Sequence, residues 1–471
     1  MNYIHKYIIA GLLILSTLTM NSCKKWLDVQ PADRFTEETV FSKPNGFSET
    51  LNGIYLDIGK PKLYGANMTS TTLDIFAQRY NVYKQHKLEK YQQYDFNDKD
   101  VKSTIDQIWS TAYVNVLNIN KFIQALDTYP NILDKQTDSL FRGEAYALRA
   151  YIQFDILRLF GPVYNIDSTG IAIPYYEQGG TKVNDLLPAN EVINKVVADL
   201  QTAEKLLQND PIVKAGIVKT SVTDYLNYRN YRMNYFATKG LQARVYQYRN
   251  DKVSALAAAK KVIDNAQKFP WTTSAILSNK KNPDRIFSSE VLFGIQSMDL
   301  YSTWRDFFSP ELEDDKILAS HPTRLINTFE NNENDYRYIP NWLNVQIKGK
   351  QYRTFYKYSE VDPVSLDFRF VVPLLRLSEM YYIATECTDD LSYLNTVRNN
   401  RNLIGLPKTA TIKSEIQKEY QKEFYGEGQL WFYYKRTKAT SIPNPLSASG
   451  SMNMNAANYV LPLPLSEISP R

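Results

Sequence analysis

Between Ile105 and Leu159 the apolar residues return every three or four positions, and that period constrains the fold more than any other feature of the chain. Phe141, Ala145, Leu148, Ile152, Ile156 and Leu159 fall on one helical face, with Arg142, Glu144, Arg149 and Asp155 between them. Gly161-Pro162 stops this helix, and a similar period over Ile105 to Leu126 ends at Tyr129-Pro130. The two segments predict a helical hairpin. Further helical patterns run over 190–208, 232–249, 252–266, 372–387, 391–402 and 414–426, with Ser414 and Gln417 placed as a capping box for the last. Helix pairs following one another without intervening strands predict a mainly α fold. The pairs suggest stacked helical hairpins, a tetratricopeptide-like α-α superhelix with long irregular loops and a few short strands, although they keep no clean period. Glu290 to Ile295 and Val460 to Leu465 are the candidate extended pieces.

The segments between the pairs, 60–100, 162–189, 268–370 and 437–471, are long, polar and aromatic, and such loops are uncommon unless functional. The chain carries 35 Tyr and 6 Trp, side chains that join a flat apolar ring to a polar edge and suit wet binding surfaces. Hydrolytic and metal chemistry lack parts. Beyond the first 22 residues the only histidines are His86 and His321, and no G-x-S-x-G, H-E-x-x-H or phosphate-cradling glycine loop occurs. Glu311, Glu313, Asp314 and Asp315 could offer oxygens to calcium, but a solvated acidic loop is the plainer reading. No metal or cofactor is expected.

The N-terminus predicts export. Lys6 precedes an apolar run from Ile8 to Met20, followed by Asn21, Ser22 and Cys23. A run of about a dozen residues fits a secretory signal and falls short of the roughly 20 needed to span a bilayer. A small residue before a cysteine is what a lipoprotein signal peptidase requires, so residues 1–22 read as a signal peptide and Cys23 as the lipidated residue. Residues 23–35 then form a tether and 23–471 one domain. Cys387, the remaining cysteine, lies in a helical apolar pattern and reads as core packing. Basic and acidic residues, 55 against 50, are nearly balanced without blocks of one sign, which describes a solvated surface and not a nucleic-acid footprint.

Several blocks in order along the chain resemble the SusD/RagB family. Ser22-Cys23-Lys24-Lys25-Trp26-Leu27-Asp28 is similar to its lipobox and tether, and Phe47 to Tyr55 to its first helix. Arg142 to Tyr151 with Leu157 to Val163 resembles its central hairpin, Ser289 to Ile295 its mid-chain extended segment, and Asp335-Tyr336-Arg337 the motif that follows. Leu374 to Glu386, Leu394 to Arg401, Glu419 to Gly428 with Lys435-Arg436, and Leu461 to Pro464 with Glu467-Ile468 resemble its C-terminal signatures. This resemblance, on which the superhelical form partly rests, implies a right-handed stack of helical hairpins with a loop-rich nutrient-binding face. It also implies a lid over a SusC-like TonB-dependent transporter in the outer membrane, lipid-anchored and facing the exterior.

Glu419, Glu423 and Glu427 recur at four-residue spacing on one helix, and Arg398, Arg401 and Arg436 are their natural partners in a structural ion-pair network. The alternative, a pair of glycosidase carboxylates, needs a set separation across a sugar. For ligand contacts the loops offer Arg79, Tyr80, Tyr301, Trp304, Tyr338 and Trp342, which combine rings for sugar faces with polar groups for hydroxyls. The favoured function is capture of an oligosaccharide for the transporter, without catalysis. The alternatives are a peptide ligand on the same architecture or a surface-anchored helical glycoside hydrolase.

Overall fold

The computed structural model describes residues 36–180, 182–220, 225–362 and 367–469. The signal peptide, Cys23 and the tether lie outside them. The long helices are α1 (Pro44–Ile58), α2 (Lys99–Thr128), α3 (Lys135–Phe160), α4 (Ala189–Leu206), α5 (Tyr235–Tyr248) and α6 (Lys252–Ile263). They continue with α7 (Leu300–Phe307), α8 (Leu377–Thr388), α9 (Leu391–Asn399), α10 (Ile412–Glu423) and α11 (Gln429–Arg436). The chain is mainly α, as its periodicity predicts.

Local chemistry sets the helix starts. Asp98 and Asp134 each accept two backbone N–H bonds at the heads of α2 and α3, and Asn234, Asp251 and Asp390 cap α5, α6 and α9. Packing pairs α2 with α3, α3 with α4, α5 with α6, and α8 with both α6 and α9, the sequence of hairpins expected of a stack. From Gly143 to its end, helix α3 is buried at nearly every residue, including Glu144, Arg149, Asp155 and Arg158. Those charges rivet it to its neighbours. Arg149 holds Asp199 of α4 through two bonds of 2.7 and 2.6 Å, and Tyr175 donates to the same carboxylate at 2.6 Å. In the next layer Arg244 of α5 grips Glu379 of α8 at 2.7 and 2.6 Å. Fork-on-carboxylate pairs of this kind fix helix orientation as well as contact.

Two readings of boundaries change. Residues 371–376 carry a helical apolar pattern but form a strand, Val371–Arg376, antiparallel to Val291–Gln296. All six of its residues are buried, so no alternation was available to mark it, and helix α8 starts only at Leu377. Helix α10 begins at Ile412, and Ser414 bonds back to the Thr411 carbonyl instead of capping a start. Val460 to Leu465 is not a strand; Leu461 N–H donates to the Leu159 carbonyl and ties the C-terminal segment to the end of α3. No described helix is long and apolar enough to cross a membrane. Cys387 is half-buried against the core, and burial pushes its thiol up to about 11.

Candidate binding face

The loops after β-strand Val291–Gln296 and around 336–370 build an aromatic layer over the helical stack. Helix α7 carries Tyr301, Trp304 and Phe307, all half-buried, while Leu300, Thr303 and Phe308 face inward. Trp304 donates its indole N–H to the Phe355 carbonyl at 2.7 Å and meets the Tyr356 ring at 5.3 Å. Arg285 lies 5.8 Å from the same Tyr356 ring, and Lys87 sits over Phe307 at 4.2 Å. Tyr301 packs on Phe370 at 4.6 Å. The result is a row of partly exposed rings whose orientations are already fixed by hydrogen bonds and neighbours.

Beneath this row the remaining aromatic candidates form its foundation. Tyr80 is wholly buried between Phe308 and Tyr425, at 5.7 and 5.8 Å, and its hydroxyl donates to the Ser70 carbonyl. Trp342 is equally buried, against Phe355 at 5.1 Å and edge-on to Tyr425 at 4.8 Å. Tyr338 packs on Phe329 at 4.9 Å, out of solvent. Arg79 pairs with buried Asp74, donates to the Gln421 carbonyl, and covers the Tyr425 ring at 4.3 Å. These four cannot meet a ligand in this conformation. The long loops fold back as core, which composition alone does not distinguish from display. Of the six residues proposed from the sequence, Tyr301 and Trp304 retain exposed surface. Half-buried Tyr356 and exposed Lys87 join them, both from stretches already marked as long aromatic loops, whereas Arg285 is buried and donates to the Pro340 carbonyl and the Ser359 hydroxyl.

The charged signatures converge elsewhere, in a sealed hub. Glu423 accepts from Arg401 at 3.1 and 2.6 Å, from Arg337 at 3.0 Å and from Arg376 at 2.5 Å. Glu419 accepts from Arg337 at 2.6 Å and Arg398 at 2.8 Å, and Glu427 from Arg376 at 3.0 Å and from Lys357. Arg401 reaches on to Glu290 at 3.0 and 2.5 Å. Arg436 is not a member: it faces Glu386 at 2.8 Å, because α11 turns its end toward α8. Arg337, Arg376, Glu290 and Lys357 were missing from the sequence reading of the network. Burial raises the Glu419 carboxyl, but Arg337 and Lys422 outweigh it and hold the group at about 2. Burial is likewise outweighed at Glu423, where Arg401, Arg376 and Arg337 keep the carboxyl well below its usual range. A glycosidase acid needs the opposite shift. Burial does push Asp74 and Asp284 up to about 6, yet both are sealed from solvent and already bonded, Asp74 to the Gly426 amide and Asp284 to Ser288. Among the described residues no cluster of histidine, cysteine or carboxylates is arranged to hold a metal.

Comparison with known proteins agrees with this architecture. Residues 25–226 match a SusD-like family model described as starch-binding and associating with outer membrane. Two curated relatives are SusD-like proteins of Formosa agariphila: P2, 23% identical over 56% of this chain, and P38, 22% identical over 93%. The match spans 47% of P2's own length and 93% of P38's. Among solved structures, a SusD-like carbohydrate binding protein from Bacteroides vulgatus superposes with a TM-score of 0.70 at 15% identity, covering 91% of this chain and 96% of that one. Surface glycan-binding protein A from Bacteroides thetaiotaomicron, in complex with laminarihexaose, gives 0.66 at 17% identity over 91% and 98% of the two chains.

Proposed function

We propose, from the premise that this chain belongs to the SusD-like family, that it is a non-catalytic lipoprotein capturing oligosaccharide on its aromatic face. Residues 23–471 act as one domain released from a signal peptide over residues 1–22 and anchored to the outer membrane through Cys23. The captured glycan is passed to a SusC-like TonB-dependent transporter at the cell exterior. Support comes from the family's described association with starch and the outer membrane, and from laminarihexaose bound to a structural neighbour.

The observation that carries the ligand reading is the half-exposed row Tyr301, Trp304 and Tyr356, with exposed Lys87 beside it over Phe307. Sugar rings stack their C–H faces on such rings and hand their hydroxyls to adjacent donors. Because Trp304 is already fixed by its bond to the Phe355 carbonyl, binding costs little ordering, which matters for weak ligands. Stacking on one ring is worth about 1 kcal/mol by analogy with aromatic pairs. Trp304→Ala is therefore expected to weaken oligosaccharide binding about fivefold, and Trp304→Phe to restore part of it. Calorimetric titration of the soluble protein lacking residues 1–23 with laminari- and malto-oligosaccharides checks this. Unchanged affinity in a folded Trp304→Ala protein overturns the assignment.

A further inference from the structure

The aromatic row runs into a cleft. Phe370, on which Tyr301 packs, is also one wall of an opening of about 410 Å³ between the end of α1, the 225–232 turn and the 367–370 turn. A volume of this size accommodates a small ligand of one or two rings. Tyr228 and Tyr231 line it with rings 5.9 Å apart and nearly parallel, at 9°.

The polar lining is biased toward donors. Asp367, the carboxylate of the cleft, is already paired with Lys219. The Asn52 side-chain oxygen is taken by Arg232. Behind the wall Glu144 is held by Arg229 and by the Tyr55 hydroxyl, so Arg232 reaches it only at 3.6 Å. Arg369 has its nearest carboxylate, exposed Glu360, at 3.8 Å, and its Nε has no hydrogen-bond partner among the described residues. The buried Tyr225 hydroxyl is likewise unpartnered. Buried polar groups left this way incur a desolvation cost that a ligand can relieve. Two arginines and an unpartnered hydroxyl, with Asp367, the one lining acid among the described residues, neutralised, ask for an acceptor-rich, negatively charged group.

We propose that this cleft is a distinct subsite for a saccharide residue bearing a carboxylate, with the sugar ring against Tyr228 and Tyr231 and the carboxylate on Arg369 and Arg232. The class of ligand rests on the saccharide reading of the adjoining face, whereas the cleft's charge preference stands on its own residues. The test uses methyl β-D-glucuronide and methyl β-D-glucoside as probes, titrated by ligand-observed NMR at low and moderate salt. The glucuronide is expected to bind at least tenfold more tightly than the glucoside, and to weaken as salt rises. Arg369→Gln should abolish that preference and Arg369→Lys retain part of it, with melting temperatures unchanged. Trp304→Ala should leave the glucuronide affinity intact. Equal binding of the two probes, or a folded Arg369→Gln protein that keeps the preference, overturns the subsite. Loss of glucuronide binding in Trp304→Ala also overturns it, since the sugar then sits on the aromatic row; that result leaves the proposed function standing. Failure of neutral oligosaccharides to depend on Trp304 refutes the row while the glucuronide arms still decide the cleft.

Discussion

At the scale of single residues, Glu423 bears the most. It is wholly surrounded by Arg337, Arg376 and Arg401, so its removal strands buried cations. Breaking such a group from one side typically costs about 3–5 kcal/mol. Glu423→Ala is expected to lower the denaturation midpoint by that order, while the protein that remains folded binds oligosaccharide normally. A stable Glu423→Ala protein with lost affinity would move this residue into the binding site. The same hub fixes an acid limit. The folded-state pKa of Glu419 is depressed to about 2, and that of Glu423 is held well below the roughly 4.3 of an unfolded glutamate by Arg401, Arg376 and Arg337. Their contribution is therefore complete above about pH 4 and is lost as pH falls through the folded values. Asp74 and Asp284, raised to about 6, work in the opposite sense: the folded protein takes up their protons first, so they add stability as pH falls from about 6 until unfolded aspartate, near 3.9, is protonated too, and they contribute no slope below about pH 3. Calorimetric melts should show stability falling steeply between about pH 4 and 2; a flat profile over that window contradicts the ion-pair account. The four-residue spacing of Glu419, Glu423 and Glu427 was legible in the sequence because a helix imposes it. The partners were legible only in part. Arg398 on α9 and Arg401 just past its end sit close in sequence, but Glu290 and Arg337 arrive from loops across the fold, and no local period announces them.

At the scale of elements, legibility follows how each element is buried. Amphipathic helices such as α2 reveal themselves by a polar stripe, whereas Val371–Arg376 is enclosed on both faces and reads as an apolar run compatible with helix. The turn joining α10 to α11 shows a second kind of constraint. Gly428 has φ of 71°, and a Cβ there would stand 2.3 Å from the Met68 carbonyl oxygen, a backbone atom that cannot swing aside. Left-handed backbone costs a non-glycine residue on the order of 1–3 kcal/mol before any clash is added. Gly428→Ala is thus expected to lower the urea midpoint by more than that strain alone, with an unchanged slope. A midpoint equal to the parent's would show that the loop carrying Met68 is free to retreat. In contrast, nothing lies within 4 Å of a Cβ built at Gly53 on α1, and Gly53→Ala should be neutral or slightly stabilising in the same assay.

At the scale of the whole molecule, the aromatic loops divide into foundation and display, and that division is what sequence composition could not supply. Tyr80 and Trp342 come from segments as polar and aromatic as the one holding Trp304, yet they are wholly buried under it. Which ring ends outside depends on how some hundreds of residues close over one another. The N-terminal pattern is a different case, because the lipidation proposed for it would be read locally, from an apolar run, a small residue and Cys23. In the proposed arrangement the folded domain supplies binding and Cys23 supplies attachment, so the two properties should separate cleanly. One acyl chain gives marginal membrane binding, whereas two or more hold stably. Cys23→Ala is accordingly expected to lose palmitate labelling and to leave the membrane fraction. Its melting temperature and oligosaccharide affinity should match those of the parent, since the hub and the aromatic face are described entirely by residues after Thr36. Palmitate labelling that survives the substitution would rule out Cys23 as the acylated residue. A Cys23→Ala protein that stays membrane-bound without label would show that attachment comes from somewhere else, such as a partner in the outer membrane holding the folded domain.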